Sequence, residues 1–294
     1  MRSINWFPGH MAKARREMTE SLRRVDAVIE LVDARLPVSS ANPMLAEMAG
    51  VKPRVLVMTR TDLADESVTT AWIRHFHRTG REVLGVDARS GRGIDQIQPA
   101  LEQAVAAKRA RDLRRGIRPR AVKAMVVGIP NVGKSSLINR LAGKAATAIG
   151  DRPGITKIQQ WIRLSGLELL DTPGVLWPKL DDPHAAARLA LSGAIKAQVL
   201  DVQELAAYFL IWAGAHYPAQ LRERYGLELD PGALKEANPL EDMALAGGWL
   251  EQIAVKRGLI RRGGIPDTER ASELVLRELQ TGKLGRISLE WPDT

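Results

Sequence analysis

The chain has 294 residues, 45% of them apolar and 26% charged, enough to bury one or two cores and unlike a disordered chain. No apolar run approaches the roughly 20 residues of a membrane span, and the opening MRSINWFPGHMAKARREM lacks a secretory apolar stretch, so a cytoplasmic chain without a membrane partner is expected. The absence of cysteine removes disulfides, thiolate zinc sites and thiol nucleophiles together, while a net charge of +9 favours polyanions, nucleic acid first.

In chain order, the first basic group is Lys13, Arg15, Arg16, Arg23 and Arg24. Val25 to Val32 (VDAVIELV) then reads as a strand buried on both faces, and Arg54 to Met58 (RVLVM) and Glu82 to Val86 (EVLGV) repeat its character. Helical stretches are expected over Pro43 to Ala49, Val68 to Thr79 and Gly93 to Arg111. The run Lys108 to Lys123 (KRARDLRRGIRPRAVK) carries one acidic residue, Asp112, and is either a polyanion contact or a solvated face. A fourth strand, Lys123 to Val127, enters a glycine-rich turn and a helix over Lys134 to Ala142. Trp161 to Leu164 and Leu167 to Leu170 form a hairpin around Ser165 and Gly166. Beyond Pro183 the strand signal stops and apolar residues recur at helical spacing, as in Val202 to Ala213 and Ala271 to Leu279. A further basic run, Lys256 to Arg262 (KRGLIRR), lies there.

The turn after the fourth strand, Gly128-Ile129-Pro130-Asn131-Val132-Gly133-Lys134-Ser135, matches G-x-x-x-x-G-K-[ST] between a strand and a helix. Its glycines let backbone N–H groups turn toward phosphate oxygens, and the helix N-terminus adds positive charge. Lys134 is expected to bridge the β- and γ-phosphates, and Ser135 to ligate Mg²⁺, which prefers hard oxygen ligands. Nucleotide contacts are assigned to Asn131, Val132, Gly133, Lys134, Ser135 and Ser136. Asp171-Thr172-Pro173-Gly174 closes the hairpin: Asp171 is expected to hold the metal through water and the Gly174 N–H to meet the γ-phosphate. In Pro153-Gly154-Ile155-Thr156, Thr156 is the candidate for a second metal ligand, made only when the γ-phosphate is present.

Base choice is expected from Thr59-Arg60-Thr61-Asp62, similar to N-K-x-D. A carboxylate accepts from guanine N1–H and the 2-amino group together, whereas adenine offers neither. Asp62 is that carboxylate, Arg60 covers the base plane, and Thr59 leaves a hydroxyl where a carboxamide is usual. Asp87-Ala88-Arg89 stands for the partner motif S-A-x, with the backbone N–H around Ala88 reaching the guanine carbonyl and Asp87 departing from the pattern. These motifs precede the phosphate loop, so the expected fold is an α/β P-loop GTPase domain over residues 1–182, mostly parallel and circularly permuted, joined through Arg111 to Arg120. An all-helical domain is expected over 183–294.

The chain resembles the ribosome biogenesis GTPase A (YlqF/RbgA) family of circularly permuted GTPases. The resemblance spans nearly the whole chain: Trp6-Phe7-Pro8-Gly9-His10-Met11-Ala12-Lys13-Ala14, Val32-Asp33-Ala34-Arg35-Leu36-Pro37, the phosphate loop through Ser136, and Gly282-Lys283-Leu284-Gly285-Arg286. It implies a cytoplasmic factor that binds GTP and GDP, docks on a late precursor of the large ribosomal subunit through rRNA and ribosomal proteins, not DNA, and hydrolyses GTP as assembly completes. It implies a helical C-terminal docking domain, stimulation by K⁺ and a place for Asn131 beside that cation. Val175 occupies the position of the usual water-orienting glutamine and cannot polarise water; the resemblance supplies His10 instead. The alternative is a nucleotide-gated RNA-binding module with vestigial hydrolysis.

Overall fold

The computed structural model describes residues 8–143, 160–174, 182–195 and 201–292, with the backbone alone for residues 8–15 and 46. Two compact units emerge. One comprises the described residues up to 174 together with 288–292; the other comprises 182–195 and 201–287. The tail beyond Ile287 thus groups with the first unit, whereas the sequence alone assigns everything after 183 to the helical domain.

The first unit is built on a six-stranded sheet: β1 (Ala27–Asp33), β2 (Arg54–Thr59), β3 (Val83–Gly85), β4 (Val122–Gly128), β5 (Gln160–Leu164) and β6 (Leu167–Asp171). Spatial order is β3-β2-β1-β4-β6-β5, parallel throughout except for the antiparallel β5–β6 pair. All of β1 is buried, as a central parallel strand with both faces covered requires. Register puts Val28, Val32, Leu56, Met58, Met125 and Val127 on one face. That face carries two apolar clusters. One gathers Met18 and Leu22 of α1 (Pro8–Arg23) and Leu45 of α2 (Pro43–Ala49); the other gathers Val68, Trp72 and Phe76 of α3 (Glu66–Arg78).

The helix expected over Gly93 to Arg111 is broken. A 3-10 turn (Ile94–Gln96) leads into α4 (Ile97–Ala104), which buries Ile97, Ala100 and Leu101, and α5 (Ala106–Arg114) buries none of its residues. The break at Val105 has its cause in composition: the apolar stripe that holds α4 ends there, and basic residues replace it. With α6 (Lys134–Ala142), α4 lies against β4.

The second unit contains α7 (Pro183–Ser192), α8 (Val202–His216), α9 (Pro218–Tyr225), α10 (Pro231–Lys235), α11 (Gly247–Lys256) and α12 (Thr268–Gln280). Residues 205–215 of α8 are all buried, which makes it the central helix, with α7, α9, α10 and α12 against it. Asp182, Asp201, Asp230 and Asp267 each cap a helix by accepting backbone N–H bonds. As expected, strands stop here; among the described residues only an isolated Ile260–Pro266 bridge remains.

Candidate functional site

The sheet places Asp33, Thr59, Asp87, Gly128 and Asp171 at or just beyond the C-terminal ends of β1, β2, β3, β4 and β6. Strand order reverses between β1 and β4, where an open parallel sheet leaves a crevice for a ligand. The phosphate loop rises from β4 at that point. Asn131 and Gly133 both have positive φ, +57° and +99°, a conformation that is strained for most residues and free for glycine. In a glycine-rich turn of this kind, successive N–H groups can face one concavity at the start of the following helix.

Lys134 opens α6 and its ammonium pairs with the Asp171 carboxylate at the end of β6; the two side chains are 8% and 5% exposed. Ser135 lies next on the same helical turn and is half-buried, and Ser136 is exposed. Thr172 donates its hydroxyl to the Val126 carbonyl at 2.7 Å, fixing the strand end. A Cβ at Gly174 would stand 3.0 Å from the Pro130 backbone, so the D-T-P-G turn packs tightly on the phosphate loop and a side chain there would require the loop to shift. One carboxylate and one hydroxyl at a phosphate-binding turn form a donor set that fits Mg²⁺, which takes its remaining ligands from phosphate and water.

On the base side, Thr59 is 3% exposed, and its hydroxyl lies 2.5 Å from the Val132 carbonyl and 3.1 Å from the Val32 carbonyl. In sequence this hydroxyl reads as a reduced base contact; the structure turns it toward the phosphate loop. Arg60 adopts φ +58°, and its guanidinium lies 3.9 Å from Asp33. Thr61 is buried and Asp62 half-buried, with the exposed Arg89 guanidinium 3.6 Å from the Asp62 carboxylate. Asp87 accepts from the backbone N–H groups of Arg89 and Ser90, at 2.8 and 3.3 Å. Burial pushes its carboxyl up, but the Ser90 hydroxyl, these backbone bonds and Arg92 outweigh burial and hold it below the usual range. The carboxylate therefore shapes the turn that carries Ala88. Arg140 of α6 donates to the Ser90 carbonyl at 2.9 Å, tying this turn to the phosphate-loop helix.

Sequence reasoning missed the support beneath these turns. Arg35, fully buried, donates from Nε and Nη2 to both Asp33 oxygens at 2.9 and 2.7 Å. Burial opposes the Asp33 charge, but Arg35 prevails and keeps that carboxyl low. The motif V-D-A-R-L-P was visible; the bidentate pairing within it was not. The side chain of His10, and Thr156 and Val175, lie outside the described residues.

A strand running through G-x-x-x-x-G-K-S into a helix, with D-T-P-G closing beside it and the base-side strands first in the chain, defines a circularly permuted P-loop GTPase. A family model described as "50S ribosome-binding GTPase" matches residues 123–217. Ribosome biogenesis GTPase A of Bacillus cereus is 47% identical over 291 residues, 99% of this chain and 94% of that protein. Mitochondrial ribosome-associated GTPase 1 of Bos taurus is 34% identical, over 97% of this chain and 88% of its own. Among solved structures, that of GNP-bound YlqF from T. maritima superposes with a TM-score of 0.64 at 27% identity, over 96% of this chain and 99% of that one. The chain belongs to the ribosome biogenesis GTPase A family.

Proposed function

We propose that this GTPase is an assembly factor that binds a late precursor of the large ribosomal subunit, contacts its rRNA and proteins, and hydrolyses GTP as maturation completes in the cytoplasm. The observation that carries this reading is likeness over nearly the full chain, helical unit included, to proteins named for ribosome biogenesis. Among the described residues no helix is long and apolar enough to cross a membrane.

Within this reading, Lys134 and the N–H groups of residues 131–136 hold the phosphates, Gly174 meets the γ-phosphate, and Asp62 reads guanine. Ser135 and Thr156 would ligate Mg²⁺ and Asp171 would hold it through water; the ion would supply positive charge against that developing on the phosphates. Asn131 places K⁺ beside them. The Lys134–Asp171 pairing supports the assignment, because a bound phosphate would give the ammonium a new anion and leave the Asp171 carboxylate available to the metal site. His10 orients the attacking water once the subunit docks, since the Val175 side chain has no polar atom.

The basic join supplies a docking face. Asp26 engages Lys108 and Arg120, and Glu168 lies 3.6 Å from Lys123. Arg111, Arg114, Arg115 and Arg118 are exposed with no acidic partner within 4.0 Å among the described residues, and Leu113, Ile117 and Pro119 line a groove beside them. In the second cluster, by contrast, Arg257 pairs with Glu278, and Arg261 with Asp267 and Glu269. The first cluster is the stronger phosphate-binding surface, because four of its arginines are exposed without an acidic partner among the described residues, whereas two of the four cations in the second cluster are paired.

The test is cosedimentation of GTP-loaded protein with large subunits and their precursors, with turnover measured in parallel. Binding and accelerated hydrolysis are expected. Absence of both would overturn the reading. Replacing the four exposed arginines by Gln should lower the salt-dependence slope of subunit binding by roughly 3.

A further inference from the structure

The last described residues return to the base-reading side of the GTPase unit. Ser288, Leu289 and Glu290 are 0%, 1% and 6% exposed. The Glu290 carboxylate accepts from the Val38 N–H at 2.8 Å, the Ser39 N–H at 3.1 Å and the Ser39 hydroxyl. Its backbone carbonyl accepts from Trp72 Nε1 at 3.1 Å, which fixes the strap to α3. Leu289 N–H donates to the Arg35 carbonyl at 2.6 Å. Asp65 N–H donates to Ser288 Oγ at 3.1 Å.

These contacts grip both flanks of Thr59–Asp62. On one flank, the residue whose carbonyl Leu289 holds is Arg35, whose guanidinium fixes Asp33, the carboxylate beside Arg60. On the other, Asp65 stands three residues beyond Asp62 and caps α3 through Ser67 and Val68. Between the flanks, Arg60 holds a left-handed backbone that a non-glycine residue keeps only where its surroundings enforce it.

We propose that Ser288–Glu290 is a positioning strap for the base-reading turn, with Glu290 as its anchor, so that preference for guanine depends on the C-terminal tail. This rests on reading Asp62 as the carboxylate that meets guanine. A strap that only stabilised the domain would affect all nucleotides alike. One that aims Asp62 changes the contrast between bases.

The experiment compares GDP with inosine diphosphate, which has the same ribose and phosphates but lacks the 2-amino group. Affinities for both are measured on the full chain, wild type and Glu290→Gln, with melting curves alongside. The substitution preserves size but sets an amide nitrogen among N–H donors. The GDP to inosine diphosphate affinity ratio is expected to fall by about threefold or more, the scale of one net hydrogen bond. An unchanged ratio, whether both affinities fall together or neither does, overturns the strap. Equal affinities in the wild type would instead overturn the role of Asp62, and the strap with it. Should Glu290→Gln fail to fold, Ser288→Ala, which removes the acceptor for Asp65 N–H, is judged by the same ratio.

Discussion

The Thr59 hydroxyl, at the end of β2, reaches the Val132 carbonyl in the phosphate loop at 2.5 Å, so one side chain ties the base side of the sheet to its phosphate side. A hydroxyl has one proton, and the nearer carbonyl receives it. Thr59→Val keeps the shape and deletes the donor. The expected loss is about 1–3 kcal/mol in chemical denaturation, from a buried carbonyl left unpaired, with weaker GDP binding, while Thr59→Ser should stay near wild type. Denaturation and binding curves of the Thr59→Val variant that coincide with those of the wild type would deny the hydroxyl this role.

Lys134→Ala should abolish tight binding of GTP and GDP, since the loop loses its side-chain cation. It should also destabilise the free protein by about 3–5 kcal/mol, because Asp171 stays buried without the Lys134 ammonium. Replacing Asp171 by Leu in the same chain should restore much of that stability without restoring binding. Equilibrium unfolding and nucleotide displacement separate the two effects.

Asp62→Asn exchanges a double acceptor for a group with one donor and one acceptor, so preference should move from guanine toward xanthine nucleotides. Discrimination of about 1–3 kcal/mol is at stake, the worth of a good bidentate base contact. Arg89→Ala should leave GTP affinity within about twofold, because an ion pair with so exposed a partner contributes little. Wild-type protein that binds ATP as well as GTP would remove Asp62 from base reading.

Two carboxylates of β1 should respond to pH in opposite senses. Burial works against the Asp33 charge, but Arg35 outweighs it, so the folded pKa lies below the ordinary value of 3.8. Its stabilisation is fully present above that value and is lost as pH falls through the folded pKa. Asp33→Asn should therefore cost about 3–5 kcal/mol near neutrality, with the gap from wild type closing in acid. Burial raises Glu30 above its ordinary 4.5, and Arg81 and Arg54 offset this only in part. The advantage of the neutral form is present below 4.5 and lost as pH rises through the folded pKa, so Glu30→Gln should gain stability on wild type as pH climbs toward neutrality. Unfolding free energies from pH 3 to 8 check both directions.

Much of the frame was legible because its signals are local. The apolar runs of β1, β2 and β4 sit within a residue or two of their expected bounds, since strands buried on both faces need continuous apolar residues. The join between the base-side and phosphate-side halves was less legible. Lys108 and Arg120 read as free charge, yet Asp26 takes both at 2.5 and 2.8 Å from more than eighty residues earlier in the chain.

By itself the sequence determined the phosphate loop, the permuted order of its partner motifs and the helical character of the C-terminal unit, because each is written in contiguous residues whose spacing has one physical use. Only the tertiary structure decided what Thr59 serves, that Arg35 lies buried on Asp33, and that Glu290 returns across 251 positions to hold Ser39. A buried charged residue looks in sequence like any exposed one. Its burial is tolerable only once folding has brought it donors from distant segments, and no local pattern records which segments those are.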